Sequence, residues 1–188
     1  MYIQVVETPN PSTLKFVPGE VVVKEGTYFF QTPEEATRSP LASNLFQIPG
    51  VVKVFLGSDF LSVSKADDFD WYLLKPDIIS SIVDHFISKQ EIIIDSEKKI
   101  ITDLDDKNSH EALDDISKQI KEIIDSKVRP AVAQDGGDIV FEAFLEGVVF
   151  LKMHGACSGC PSSTVTLKNG IENMLKYYVP EVKEVRSV

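Results

Sequence analysis

The sequence predicts an α+β protein of two small modules joined by a charged linker, and three observations predict it. Before residue 91, short β-branched and aromatic runs bounded by glycine and proline give way to one long apolar stripe at helical spacing. The stretch DSEKKIITDLDDKNS then brings charge without a sustained period, as a solvated spacer does. Beyond it, helical and extended cues follow in the order α-β-β-α-β, with a CxxC loop at the start of the second helix. The expected modules are residues 1–94 and 109–188, with 95–108 as the linker.

In the first module, Leu14-Lys-Phe-Val17, Val21-Val-Val23 and Thr27-Tyr-Phe-Phe30 read as strands, separated by the turn signals Pro18-Gly19 and Gly26. Pro40 to Phe46 reads as a short helix with Ser39 as its cap and proline at its first position. Val51 to Leu56 and Phe60 to Ser64 flank Gly57-Ser-Asp59 and predict a hairpin. Ile78, Ile79, Ile82, Val83, Phe86 and Ile87 then form one stripe on a helix expected to begin near Pro76-Asp77.

A short strand over Lys99 to Thr102 fits within the linker. In the second module Ser109 can cap a helix carrying Leu113, Ile116, Ile120, Ile123 and Ile124 on one face. Pro130 removes a helical donor and constrains its predecessor, so a break is expected near Lys127 to Arg129. Ile139 to Leu145 and Val148 to His154 form a hairpin around Glu146-Gly147. After Pro161, the positions Leu167, Ile171, Met174, Leu175 and Tyr178 make the second stripe, and Val182 to Val185 a last strand.

Composition narrows the function. The hydrophobic fraction is 43% and the charged fraction 26%, ordinary values for a folded globular chain. A net charge of −10 and a pI near 4.8 repel a phosphate backbone or an anionic membrane surface, so neither nucleic acid nor membrane is an expected partner. No apolar run approaches the ~18 residues of a membrane helix. The start MYIQVVETPNPS has neither signal-peptide nor transit-peptide character. The expected location is the cytoplasm, with a mature organellar matrix form as the alternative.

The chemistry sits in His154-Gly-Ala-Cys-Ser-Gly-Cys-Pro-Ser-Ser-Thr164, which holds both cysteines, Cys157 and Cys160. One CxxC allows no long-range disulfide within the chain, and a bridge across so short a loop stabilises little. With Pro161 at the first helical position, Cys160 is the cap, and the free N–H groups of the first turn favour its thiolate. The apolar residues lie before and after the loop, not within it, which argues for reactive rather than inert, buried thiols. Exposed, low-pKa thiolates are therefore expected.

Three readings of the loop stay open on the residues alone. A thiol–disulfide oxidoreductase needs only the two sulfurs, although its usual CxxC comes earlier, within a βαβ unit. A zinc site wants four ligands, and His154, Cys157 and Cys160 supply at most three; His154 at a strand end is more often a surface residue than a ligand. An iron–sulfur cluster also wants four thiolates, which a twofold dimer of identical loops supplies. Asp135-Gly-Gly-Asp138 has too few oxygen ligands for a calcium loop and reads as a turn. His85 and His110 are expected to face solvent.

The residues from His154 to Glu181, HGACSGCPSSTVTLKNGIENMLKYYVPE, resemble the carboxy-terminal NifU-type domain, with its G-x-C-x-x-C-P-S-S loop and T-L-K-x-G-I-E helix. Arg129-Pro130 and Asp135-Gly-Gly-Asp138 match that family's R-P and D-G-G-D elements, and Thr8-Pro-Asn-Pro-Ser-Thr-Leu-Lys-Phe16 resembles the start of the amino-terminal Nfu domain. The resemblance implies an Nfu-type iron–sulfur assembly factor, not an enzyme. Such a protein receives or assembles a [4Fe-4S] cluster, shares it between two chains of a homodimer and passes it to apo-proteins. By position it makes Cys157 and Cys160 the cluster ligands, with Gly159 standing where serine is frequent. Implied partners are upstream cluster-assembly proteins and apo iron–sulfur clients; the first module has no cysteine and no evident catalytic cluster, and docking of clients is the role expected of it on that ground.

Overall fold

The computed structural model describes residues 2–94, 115–158 and 161–188, and of residues 161–164 the backbone alone. The chain divides into two compact units, residues 1–104 and 105–188, each with its own hydrophobic cluster. The expected linker at 95–108, the strand at Lys99 to Thr102, the cap Ser109 and His110 lie outside the described residues.

The first unit is a five-stranded antiparallel sheet with two helices. Strands β1 (Gln4–Glu7), β2 (Thr13–Val17), β3 (Tyr28–Phe30), β4 (Val51–Leu56) and β5 (Leu61–Lys65) lie in the order β1-β2-β5-β4-β3. The registers Phe16↔Leu61↔Leu56↔Tyr28 and Leu14↔Val63↔Val54↔Phe30 lay two apolar rows across one face. Alternation of side chains along each strand puts these residues on the same side. Helices α1 (Pro40–Phe46) and α2 (Trp71–Ser88) contribute Leu41, Leu45, Leu74, Ile78 and Ile82 to that cluster. On the opposite face, Thr13 Oγ1 and Ser64 Oγ hydrogen-bond at 2.7 Å, and Lys15 Nζ lies 4.2 Å from the centre of the Phe60 ring.

Ser39 caps α1 as expected, its hydroxyl accepting from the Ala42 N–H at 3.2 Å with Pro40 at the first position. Four features of this unit differ from the sequence reading. Val21 to Val23 is not a strand: Val22 and Val23 are buried, and both their N–H groups donate to the Ser58 carbonyl at the β4–β5 turn. Helix α2 starts at Trp71, capped by Asp70, whose carboxylate accepts from the Tyr72 N–H at 2.8 Å. Pro76 therefore lies inside the helix, and the carbonyl it leaves without a helical donor belongs to Tyr72, a residue 83% exposed, where solvent substitutes. His85 is buried at 3% exposure, on the stripe rather than opposite it. Strand β1 and the 3-10 turn Glu35–Arg38 carry too little periodicity to have been read from the sequence.

The second unit places helices against one face of a three-stranded sheet, β6 (Gly137–Leu145), β7 (Val148–Gly155) and β8 (Glu184–Ser187), in that spatial order. The β6–β7 hairpin is antiparallel with a bulge between Phe141 and Ala143, and β8 runs parallel to β7. Helix α3 (Asp115–Ile123) passes into a π-helical segment, Ile124–Val128, and then into α4 (Arg129–Gln134), with Pro130 in its first turn. The expected break at Pro130 takes this form, since an extra residue per turn absorbs the missing donor. The long helix α5 (Pro161–Tyr178) adds Ile171 and Leu175 to a core built with Ile120, Ile124, Val128, Val132, Ile139, Val149, Leu151 and Val185. The last strand begins two residues later than expected, at Glu184.

Candidate functional site: the cysteine loop and its surroundings

The hairpin sets the stage for the cysteines. Gly137 and Gly155 pair at the open end of β6–β7, and Gly155, at φ +62°, turns the chain out of the strand. The Ala156 N–H donates back to the Gly136 carbonyl at 3.1 Å, and the Ser158 N–H to the Gly155 carbonyl at 3.0 Å. The loop is thereby folded down onto the Asp135-to-Asp138 turn, and Ala156 and Cys157 are buried. Helix α5 begins at Pro161, where the sequence places it.

Cys157 departs from the expectation of an exposed, low-pKa thiolate. It is 6% exposed, belongs to the apolar cluster of the unit, and is a free thiol. Burial pushes its pKa up to about 12, and the nearby carboxylates of Asp135 and Asp138 push in the same direction. The physical reason is local: the sulfur lies over Gly137, which has no side chain to occupy that space. A Cβ at Gly137 would overlap the Cys157 sulfur and stand 2.8 Å from the His154 carbonyl oxygen and 3.0 Å from the Cys157 nitrogen. Gly159 and Cys160 lie outside the described residues. Among the described residues no group of three or more His, Cys, Asp or Glu is arranged to hold a metal.

Beneath the loop stands a charged pair. Arg129 Nε donates to Asp138 Oδ1 and its NH2 to Oδ2, both at 2.8 Å, a bidentate arrangement. Oδ1 also accepts from the Ile139 N–H at 2.8 Å, and Asp125 reaches Arg129 NH1 at 3.3 Å. Asp138 is 4% exposed, and the hydrogen bonds it accepts from Arg129 are the first cause holding that guanidinium above its ordinary pKa. His154 lies opposite Asp138 in the hairpin register; burial lowers its pKa, with the Asp138 carboxylate opposing that effect. His154 is thus half-buried beside the charged pair, and neutral imidazole is its favoured form. The reading of the residues by themselves assigned Asp135 to Asp138 only a turn. The signal for its place under Cys157 was the co-occurrence of the R-P and D-G-G-D elements with the CxxC.

The β6–β7 hairpin leads into the loop of Cys157 ahead of the long helix α5, an α+β module on a three-stranded sheet. Residues 120–186 match the family described as NifU-like domain, and residues 3–89 match "Scaffold protein Nfu/NifU N terminal". Over its full length the chain is 47% identical to the human protein named "NFU1 iron-sulfur cluster scaffold homolog, mitochondrial", spanning 72% of that protein. It is also 47% identical to the Drosophila persimilis protein of the same name, of which it spans 65%. A solution NMR structure of a NifU-like protein from Saccharomyces cerevisiae is similar over 52% of this chain and 87% of that one, at 27% identity and a TM-score of 0.46. The chain belongs to the Nfu/NifU family.

Proposed function

We propose that this protein is an iron–sulfur cluster scaffold and carrier, whose residues 109–188 hold a [4Fe-4S] cluster as cargo between two copies of the chain. The observation that carries this reading is the full-length identity of 47% to a protein named as an iron–sulfur cluster scaffold. The ligands are Cys157 and Cys160 of each copy. A cluster takes four thiolates and each chain has two cysteines, so two chains complete the set with no other ligand type. Bound iron supplies the charge that deprotonates a coordinating thiol outright, which offsets the environment holding Cys157 protonated in the empty chain.

Transfer proceeds by ligand exchange at the edge of the dimer, so the protein is a carrier and not an enzyme. Residues 1–94 present the docking surface for upstream cluster-assembly proteins or apo-clients, across the linker at 95–108. The thiol–disulfide oxidoreductase reading is less favoured, since the relatives are named as iron–sulfur cluster scaffolds and Cys157 is buried. Among the described residues no helix is long and apolar enough to cross a membrane. The mitochondrial label on the relatives favours the organellar matrix over the cytoplasm.

The test is anaerobic reconstitution with iron and sulfide, followed by size-exclusion chromatography and metal analysis of each peak. About four iron and four sulfide per dimer, lost on incubation with an apo-client, are expected. C157A and C160A should each abolish cluster retention. A colourless chain that binds zinc, or one that cycles dithiol and disulfide without binding iron, would overturn the proposal.

A further inference from the structure

The ground beneath Cys157 is built in a way that a simple turn does not need. Gly137 leaves room for the sulfur, and a side chain there would overlap it. The next residue, Asp138, is fastened by both guanidinium bonds of Arg129 and by the Ile139 N–H. Arg129 in turn opens α4, directly after the π-helical segment that the Pro130 break produces. A rigid helix start, a forked ion pair and a glycine are therefore stacked in series under one thiol.

We propose that Gly137 and the Arg129–Asp138 pair are positioning residues for Cys157, forming a seat that fixes where its sulfur lies and shields it while the chain carries no cluster. The inference rests on the carrier reading for its purpose, but the seat itself is a property of the empty chain. Its chemistry is steric and directional. The fork of Arg129 holds the Asp138 carboxylate in one plane, which fixes the backbone of Gly137 and with it the floor against which the sulfur packs. A carrier needs such shielding, because two thiols at CxxC spacing form a disulfide readily when both are accessible, and a disulfide cannot ligate iron.

The measurement is alkylation of Cys157 in the empty full-length chain, read peptide by peptide by mass spectrometry at fixed pH, in wild type, R129K, R129Q and V132A. V132A removes core volume from the same cluster while leaving Arg129, Asp138 and Gly137 in place, and serves as a control for lost stability. Both Arg129 variants are expected to raise the Cys157 rate at least tenfold over wild type and over V132A at equal residual stability. Lysine should not rescue, since it keeps the charge and loses the fork. Rates for R129K and R129Q no higher than for V132A would overturn the proposal, as would full rescue by lysine, which would make the pair a charge effect.

If the Arg129 variants do not fold, the cycle of G137A, C157A and the double variant decides. A seat predicts that removing the sulfur restores part of the melting temperature that G137A loses, the crowding against the His154 carbonyl remaining, and additive losses would overturn it. Failure of wild type to take up iron and sulfide would sink the carrier reading and leave the alkylation result standing. Unchanged alkylation with normal loading would sink the seat alone.

Discussion

The Ser39 hydroxyl donates to the Ile92 carbonyl at 2.6 Å while accepting from the Ala42 N–H, so one fully buried oxygen caps α1 and fastens the segment that follows α2. The Ile94 N–H, donating to the Arg38 carbonyl at 2.8 Å, closes the same junction. Substituting S39A removes the cap and leaves the Ile92 carbonyl without its donor. The expected loss is about 2 kcal/mol, or about 10 °C in the melting of this unit. Trp71 is the sole tryptophan and donates its indole N–H to the Pro11 carbonyl at 2.9 Å, so its fluorescence follows the first unit selectively.

His85 makes the stability of the first unit depend on pH. Its ring is buried, neither nitrogen has a partner of hydrogen-bond geometry, and burial lowers its pKa below 6.5, with the Gln90 backbone near enough to offset part of the effect. Above pH 6.5 the ring is neutral in both folded and unfolded chains and the effect vanishes. As pH falls below that value the unfolded chain takes up a proton that the folded one resists. Stability should therefore fall with pH, by at most about 1.4 kcal/mol per pH unit. Urea titrations followed by Trp71 at pH 7.5 and pH 5.5 should show the difference, and H85F should reduce it.

The thiol of Cys157 should be slow to alkylate in the empty chain. With its pKa near 12, the thiolate fraction at pH 8 is depressed relative to a free thiol by on the order of a hundredfold or more. The rate should climb steadily from pH 7 to pH 10 without levelling. A plateau below pH 9 would show that the thiol is not seated as described.

Two glycines with left-handed backbones separate strain from crowding. Gly50, at φ +97°, would put a Cβ into the Phe69 ring, 2.9 Å from its Cδ2, while Gly19, at φ +78°, has nothing within 4 Å. G19A should cost about 1 kcal/mol from backbone conformation, and G50A about 2 kcal/mol or more. Both are measured by urea denaturation with Trp71 as the probe.

Much of the fold was legible because local rules and tertiary needs coincided. Ser39-Pro40 reads as a helix start, and nothing competes with it. The β4–β5 and β6–β7 hairpins carry their turn residues between apolar runs, and Pro130 announces its own break. Legibility failed where a neighbour overrode the local signal. Val21 to Val23 has strand composition but spends its donors on Ser58. Pro76 looks like a start signal, yet Asp70 caps the helix six residues before it, and an exposed carbonyl tolerates the missing donor. His85 lies on the apolar stripe with Ile78 and Ile82, and the expectation that it faces solvent followed its residue type, not its position.

The sequence by itself determined the two α+β modules, most of their described elements, the start of α5 at Pro161 and the family, because turn chemistry, periodicity and a dense motif are properties of neighbours along the chain. Only the tertiary structure decided that β8 runs parallel beside β7, that Arg129 grips Asp138, and that the Cys157 sulfur lies buried over Gly137. Those facts join residues nine to twenty or more positions apart. A thiol's exposure and acidity depend on what the fold packs against it, and no spacing of cysteines encodes that.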